Sequence, residues 1–344
     1  MTAHRLGHSG AMARHPIDGT AIERNAVVNG RSPMEIIPAL AVPGDDTYHP
    51  CPEASPADDV PRSTVTKHAA WSGSEIFPGA TRDVWISTPA DWGDRPPALL
   101  VCQDGGGYLK ATGDVRAVAV LDSLMHDGTL PPTVGVFVMP GRHEGDDDEA
   151  ARVQRSVEYD TVDDAYVRFL DDELLPFVEA EIGRALSTEP ADRIIAGISS
   201  GGIAAFNAAW HRPESFGRVL SHCGSFTNLR GGHEYPFLIR AAERRPIKVF
   251  LQTGTADANI PQGNWTLAND LVADALEYAG YDVRYEKGVG GHSLRHGGAL
   301  FAESLRWLRD EHQPRTADGD HEIHAATRRR IAEIAPVLRR RGTT

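Results

Sequence analysis

The spacing of apolar and polar residues along the chain predicts a sheet of mostly parallel strands with helices between them. Segments with apolar residues three or four positions apart, most clearly 162–182, are typical of helices packed on one side. Near-continuous apolar runs, typical of strands buried on both faces, occur at 98–102, 134–139, 193–198, 218–223, 247–252 and 283–286. Because the runs and the helical segments alternate, we expect an α/β fold with helices on both faces of the sheet.

Two earlier segments predict how the sheet begins. Residues 63–71 and 82–88 alternate in polarity, and a turn at Phe77-Pro-Gly79 separates them. Such alternation is typical of strands with one buried face, so we expect an antiparallel N-terminal hairpin. The regular pattern as a whole predicts a single α/β domain, the candidate catalytic domain, over residues 61–312.

The segments on either side of this domain have a different composition. Residues 1–60 are rich in Pro, Gly, Asp and Ala without a sustained period, which predicts an irregular arm. Its apolar part, 34–42, is expected to pack on the domain or on a partner subunit. Residues 313–344 contain a basic, helix-like run, for which we favour an amphipathic helix over a nucleic-acid-binding one. The arm and this tail are the candidate contacts of a homo-oligomer.

Composition narrows the expected partners and compartment. Of the 344 residues 41% are hydrophobic, and the net charge is −13. An acidic chain lacks the basic surface that attracts nucleic acid or an anionic membrane, so neither is expected as a partner. Three scattered cysteines, Cys51, Cys102 and Cys223, predict neither a disulfide framework nor a Cys-x-x-Cys metal site. Because we find no secretory signal and no membrane-length apolar run, we expect a cytoplasmic protein.

The strongest chemical signal is the segment Gly197-Ile-Ser199-Ser-Gly201, between the apolar run 193–198 and the Ala-rich segment 202–210. A Gly-x-Ser-x-Gly motif between a strand and a helix is typical of a nucleophile elbow, in which small neighbours allow a sharp turn. The motif predicts that Ser199 projects its hydroxyl above the sheet as a nucleophile.

A serine nucleophile needs a base and an acid, and in this fold they follow it in the order acid, histidine. The predicted strand 247–252 ends shortly before Asp257, and the strand 283–286 ends shortly before His292. Both residues follow the carboxyl ends of strands, where an open α/β sheet collects its active site. We therefore expect His292 to be the base and Asp257 to orient it, with His296 ranked second for the base.

The glycine-rich segment after the strand 98–102 is a candidate oxyanion hole. Gln103-Asp-Gly-Gly-Gly-Tyr108 allows a close approach of backbone N–H groups to a ligand. We expect donors from Gly105 and Gly106 in this segment and from Ser200 after the nucleophile.

Two further groups are expected near the substrate. Arg155, Glu158 and Tyr159 follow an acidic tract at 144–149 and are candidates to line the substrate pocket. The tract itself lacks the ligand spacing of an EF-hand, so we interpret it as a solvated loop and not as a calcium site. Tyr108 and Trp265 complete the expected substrate-binding residues.

The chain resembles an esterase family of α/β-hydrolases that includes enterochelin (ferric siderophore) esterases, the esterase D group and feruloyl esterases. The resemblance covers about 71–307 and rests on seven segments, 76–85, 103–108, 155–160, 197–202, 222–226, 263–265 and 290–298. It implies a serine carboxylester hydrolase that needs no cofactor or metal. Ser199 and His292 match the family's nucleophile and base, and Asp257 matches its usual acid. Siderophore esterases often carry an N-terminal β-sandwich domain, which 60 irregular residues are not expected to build.

The first hypothesis is an esterase in which Ser199 attacks an ester carbonyl and water activated by His292 hydrolyses the acyl-enzyme. The partner would be a small-molecule ester of siderophore, carbohydrate or aromatic-acid type. Two alternatives use the same scaffold. In an acyltransferase an alcohol replaces the water, whereas a binding protein on a hydrolase scaffold would have no turnover.

Overall fold

An eight-stranded sheet runs through the protein in the computed structural model, which describes residues 44–310. Its strands are β1 Thr64–Trp71, β2 Arg82–Thr88, β3 Ala98–Gln103, β4 Thr133–Val138, β5 Arg193–Ile198, β6 Arg218–His222, β7 Lys248–Gly254 and β10 Asp282–Gly288. Two short strands, β8 Asn259–Ile260 and β9 Gly263–Asn264, pair separately.

Helices connect most of the strands. They are α1 Gly105–Leu109, α2 Ala117–His126, α3 Asp148–Asp160, α4 Ala165–Arg168, α5 Leu175–Ile182, α6 Ser200–His211, α7 Tyr235–Ala241, α8 Trp265–Tyr278, α9 Leu294–Ala299 and α10 Phe301–Arg309. Short 3-10 turns lie at Asp45–Thr47, Pro52–Ala54, Pro190–Asp192 and Gly232–Glu234.

The strand order is β1-β2-β4-β3-β5-β6-β7-β10. Strand β2 is antiparallel to both of its neighbours, and every other pair in the sheet is parallel. The predicted mostly parallel sheet and its antiparallel N-terminal hairpin are therefore confirmed.

The core lies on both faces of the sheet. Successive residues of β3 alternate between two apolar clusters: Leu99 and Val101 enter one, whereas Leu100 and Cys102 enter the other. Helices α6 and α8 contribute to the first cluster, and α2 and α10 contribute to the second. Because β3 is covered on both sides, its run is apolar without alternation, as the sequence pattern predicted.

The predicted helix over 162–182 is interrupted. A π-helical stretch, Phe169–Leu174, separates α4 from α5. Pro176 occupies the start of α5 and has no N–H to donate to the preceding turn, which gives a physical reason for the altered hydrogen bonding there. The apolar side chains Phe169, Leu170 and Leu174 remain buried despite the change.

The predicted arm and tail fall largely outside the described residues. Of the arm, the structure describes residues 44–60, which contain two 3-10 turns. The basic tail at 313–344 lies wholly outside, so its role and that of the arm in contacts between copies stay predictions. Within residues 44–310 no helix combines the length and apolar character needed to cross a membrane.

Candidate active site

The predicted catalytic residues all follow strands at one edge of the sheet. Ser199 comes directly after β5, Asp257 comes three residues after β7, and His292 comes four residues after β10. Since these strands are parallel, their carboxyl ends share an edge. The topology therefore collects the three side chains on one side of the molecule.

Ser199 has the backbone of a nucleophile elbow. Its φ of 60° and ψ of −122° differ from those of both the strand before it and the helix α6 after it. A side chain at Gly197 would place its Cβ 2.2 Å from the carbonyl oxygen of Gly201, so this position requires glycine. The Ser199 N–H donates to the His222 carbonyl at 2.9 Å, which ties the turn to β6. The surrounding structure thus holds an uncommon serine conformation in place.

Asp257 and His292 form a close pair. His292 Nδ1 lies 2.5 Å from Asp257 Oδ1, and the Asp257 side chain is fully buried. The same Oδ1 accepts from the Ala258 N–H at 2.7 Å, and Oδ2 accepts from Thr253 Oγ1 at 2.6 Å. Burial alone would favour the neutral acid, but the hydrogen bonds and the His292 charge outweigh it and hold the pKa of Asp257 below its ordinary value of 3.8. Asp257 is therefore a carboxylate acceptor at neutral pH.

Two residues connect the candidate nucleophile, Ser199, to the Asp257–His292 pair. The Ser199 Oγ lies 3.3 Å from the Ser225 Oγ. Ser225 Oγ also accepts from the indole Nε1 of Trp265 at 3.1 Å. The Trp265 ring meets the His292 ring edge-on, with 5.9 Å between centroids. Ser199, Ser225, Trp265 and His292 are thus linked side by side across the carboxyl edge of the sheet.

The candidate oxyanion donors lie at the starts of two helices. Ser200 begins α6, and Gly105 begins α1, so their N–H groups have no acceptor within their own helices. The preceding strands, β5 and β3, are neighbours in the sheet. A Cβ at position 105 would lie 2.5 Å from the backbone of Phe137, so glycine is required there. The three glycines of the segment lie in the short helix α1. Within it the Gly106 N–H points to Met139 Sδ at 3.4 Å, which makes Gly105 the better candidate.

Three residues expected in the substrate pocket have buried side chains that are engaged inside the protein. Glu158 forms a fully buried ion pair with Arg82, at 2.6 Å and 3.1 Å. The Tyr159 hydroxyl accepts from the backbone N–H of Asp104 at 3.4 Å. The Tyr108 hydroxyl lies 3.0 Å from His222 Nδ1. Tyr108 and Tyr159 are 0% exposed and Glu158 is 1% exposed, so we correct the expectation that the three line an open pocket.

The other two expected substrate residues lie nearer the site. Arg155 is partly exposed and makes a two-pronged ion pair with Asp104, with Nε–Oδ1 at 2.9 Å and Nη2–Oδ2 at 2.7 Å. Asp104 directly follows β3 and precedes the candidate oxyanion donor Gly105. Trp265 is buried and reaches the site through Ser225. Arg155 therefore holds the candidate oxyanion segment in place, and Trp265 supports the region of the candidate nucleophile Ser199.

The second-ranked base, His296, has a different environment. Its Nδ1 lies 3.1 Å from Gln252 Nε2, and its ring stacks on Tyr48 with centroids 4.3 Å apart. Burial lowers the pKa of His296. His292, with its carboxylate partner, is the better base of the two.

Sequence reasoning did not select Ser225, Thr253 or Cys223. Each lies at or just past the carboxyl end of β6 or β7. Their position at the ends of predicted strands is the sequence feature that could have identified them as site residues. Cys223, Asp257 and His292 offer potential metal ligands within 4.8 Å of one another. Burial and the charge of Asp257 raise the pKa of the Cys223 thiol well above its ordinary value of 9.0, which disfavours the thiolate that a metal prefers. The cluster therefore fits an acid–base pair better than a metal centre.

Comparison with known proteins is consistent with this geometry. The family model described as "Putative esterase" matches residues 78–308. The iron(III) enterobactin esterase of Escherichia coli O6:H1 is 30% identical over 247 residues, which cover 70% of this chain and 54% of that protein. The corresponding protein of Dickeya dadantii is 27% identical over 256 residues. This chain spans about half the length of these relatives.

Solved structures show the same fold. An enterobactin esterase from Shigella flexneri has a TM-score of 0.56 and 26% identity over 73% of this chain and 61% of its own. A ferulic acid esterase has a TM-score of 0.57 over 72% of this chain and 98% of its own; at 16% identity it supports the fold alone. The sheet order, the turn at Ser199 and the family match lead to one conclusion: this chain has the α/β-hydrolase fold and belongs to this esterase family.

Proposed function

We propose that this protein is a serine carboxylester hydrolase that uses Ser199, His292 and Asp257. The observation that carries the proposal is the 2.5 Å contact between His292 and a buried carboxylate, at the sheet edge where Ser199 is held in an elbow. An imidazole oriented in this way through Nδ1 keeps Nε2 available to accept a proton.

The proposed reaction has two stages. Ser199 Oγ attacks the ester carbonyl carbon while His292 takes the serine proton, and the carbonyl π electrons move to the oxygen. The N–H groups of Ser200 and Gly105 are the proposed donors to this oxyanion. As the intermediate collapses, His292 gives its proton to the departing alcohol. Water then attacks the acyl-enzyme with His292 as base, and the acid and free Ser199 are released.

The proposed substrate is a small-molecule ester of siderophore or aromatic-acid type. Support comes from relatives named as enterobactin esterases, which share the family and up to 30% identity with this chain.

The test combines active-site labelling with turnover. A fluorophosphonate should label the protein at Ser199, and a panel of p-nitrophenyl, feruloyl and catecholate-siderophore esters should identify a hydrolysed class. Ser199→Ala and His292→Ala should each lower kcat by about a thousandfold or more with the fold intact by circular dichroism. Ser72→Ala and His126→Ala, at exposed positions, are the matched controls.

Three outcomes would overturn this proposal. A loss below about tenfold in either active-site variant would remove that residue from the mechanism. Transfer of the acyl group to added alcohols in preference to water would identify an acyltransferase instead. Absence of labelling at Ser199 would leave a binding protein on the same scaffold.

A further inference from the structure

Ser225 contacts the nucleophile through both its backbone and its side chain. The Ser225 N–H donates to the Ser199 carbonyl at 3.0 Å, and its Oγ lies 3.3 Å from Ser199 Oγ. Ser225 is 0% exposed. Since the main-chain bond fixes the separation of the two residues, their hydroxyls are held next to each other in the resting protein.

Trp265 determines the direction of the hydrogen bond between these hydroxyls. An indole Nε1–H can donate but cannot accept, so Ser225 Oγ is the acceptor in the 3.1 Å contact with Trp265. Trp265 is 3% exposed, and packing holds its ring in this orientation. With one lone pair occupied by the indole, Ser225 has its own proton to donate, and the acceptor that the structure brings to it is Ser199 Oγ.

We propose that Ser225 is a further catalytic residue, which donates a hydrogen bond to Ser199 Oγ. This inference rests on the proposed esterase function. If Ser225 is the donor, the Ser199 hydroxyl does not donate its proton to Ser225 and can donate it to His292. As Ser199 loses that proton and attacks, negative charge develops on Oγ, and a hydrogen bond to a charged oxygen is stronger than one to a neutral hydroxyl.

The contact therefore favours the transition state over the resting state, which is the requirement for raising kcat. The same donor acts in deacylation, since Ser199 Oγ is then the leaving oxygen. The 3.3 Å separation is long for a hydrogen bond between two hydroxyls. We therefore expect a gain in rate at the lower end of the range for hydrogen-bond donors to a developing charge.

The experiment measures the rate of fluorophosphonate labelling and the burst of p-nitrophenol release for three proteins. Ser225→Ala should slow both acylation rates about tenfold, with KM within about twofold of the wild type. Ser225→Cys keeps a side chain of similar size with a poorer donor, so its rate should lie between those of serine and alanine. Melting temperatures show whether each variant is folded.

The outcomes separate this inference from the proposed function. If the wild type is not labelled at Ser199, both are wrong. If the wild type is labelled but folded Ser225→Ala keeps its acylation rate within about twofold, only the role of Ser225 is refuted. A rise in KM with unchanged kcat would also refute it, because that result indicates a substrate contact and not support of the nucleophile.

Discussion

Replacing Asp257 with asparagine would separate the charge of the acid from its hydrogen bonds. The carboxylate accepts from His292 Nδ1 and the Ala258 N–H at Oδ1, and from Thr253 Oγ1 at Oδ2. The backbone N–H cannot become an acceptor, whereas the threonine hydroxyl can reverse. An asparagine should therefore place its oxygen toward Ala258 and His292 and its NH₂ toward Thr253. In this orientation the imidazole keeps its proton on Nδ1, and Nε2 stays available to accept the serine proton.

The magnitude follows from what is lost. The Asp257→Asn variant loses the charge that stabilises the imidazolium but keeps an acceptor, a difference of about 1–2 kcal/mol between a charged and a neutral hydrogen bond, or roughly a 5- to 30-fold fall in kcat. Asp257→Ala removes the acceptor, and the fall should approach the roughly 10⁴-fold effect of a wrongly protonated histidine. We therefore expect asparagine to be much less damaging than alanine here.

The assay is kcat with a p-nitrophenyl ester at a pH where the histidine is neutral, for both single variants and for Thr253→Val. Valine at 253 removes the group that accepts from the asparagine NH₂, so Asp257→Asn combined with Thr253→Val should lose more than the product of the two single effects. Equal losses for asparagine and alanine, or strictly multiplicative effects in the double variant, would refute the assigned orientation.

Three other predictions concern groups that support the site. Burial lowers the pKa of His222 from 6.5 to about 3, with a smaller contribution from the His296 charge. Because the unfolded chain binds this proton and the folded chain resists it, stability should fall as pH drops from about 6.5 toward 3, by up to about 1.4 kcal/mol per pH unit. Urea unfolding from pH 7 to 4 should show this slope reduced in His222→Asn. Arg82→Met leaves the buried Glu158 carboxylate without its ion-pair partner and should lower the free energy of unfolding by about 3–5 kcal/mol. Adding Glu158→Gln removes the unpaired charge and should restore part of this loss; similar stabilities for the single and double variants would contradict the argument. Gly197→Ala should lower the free energy of unfolding by about 1–3 kcal/mol, measured by heat or urea. It should also lower kcat, since the added methyl group displaces the turn that holds Ser199. An unchanged kcat would contradict the steric argument.

The mostly parallel sheet could be predicted, and the three proposed catalytic residues could be selected, because both inferences use local patterns. The apolar run of β5 and the glycines around Ser199 identify a strand and a sharp turn within a few residues of each other. Asp257 and His292 follow recognisable strands, and the parallel sheet brings strand ends to a common edge. Their selection required only the order of elements and not the packing of side chains.

The roles of Glu158, Tyr159 and Tyr108 could not be predicted, because each depends on a partner distant in the sequence. Glu158 pairs with Arg82, which lies 76 positions earlier, and no local pattern indicates that both are buried. A charged residue is seldom fully buried unless it is paired, and the sequence alone does not identify the partner that allows the burial of Glu158. Ser225 was missed for the same reason, since its proposed role as a donor depends on a hydrogen bond from the indole of Trp265, 40 positions later.

The site also depends on residues that precede the family match, which begins at residue 78. Asp45 is 2% exposed, and its Oδ1 accepts from the Gly291 N–H at 3.1 Å, immediately before His292. On the other side of this loop, the Ala256 N–H donates to the Gly290 carbonyl at 2.8 Å, immediately before Asp257. The loop that carries the proposed base is therefore held both by the loop that carries its acid and by a carboxylate 246 positions away in the sequence. Support from both loops restricts the position of His292, which in the proposed mechanism must reach both Asp257 and Ser199. Asp45 therefore helps to build the site, although it touches no reacting atom.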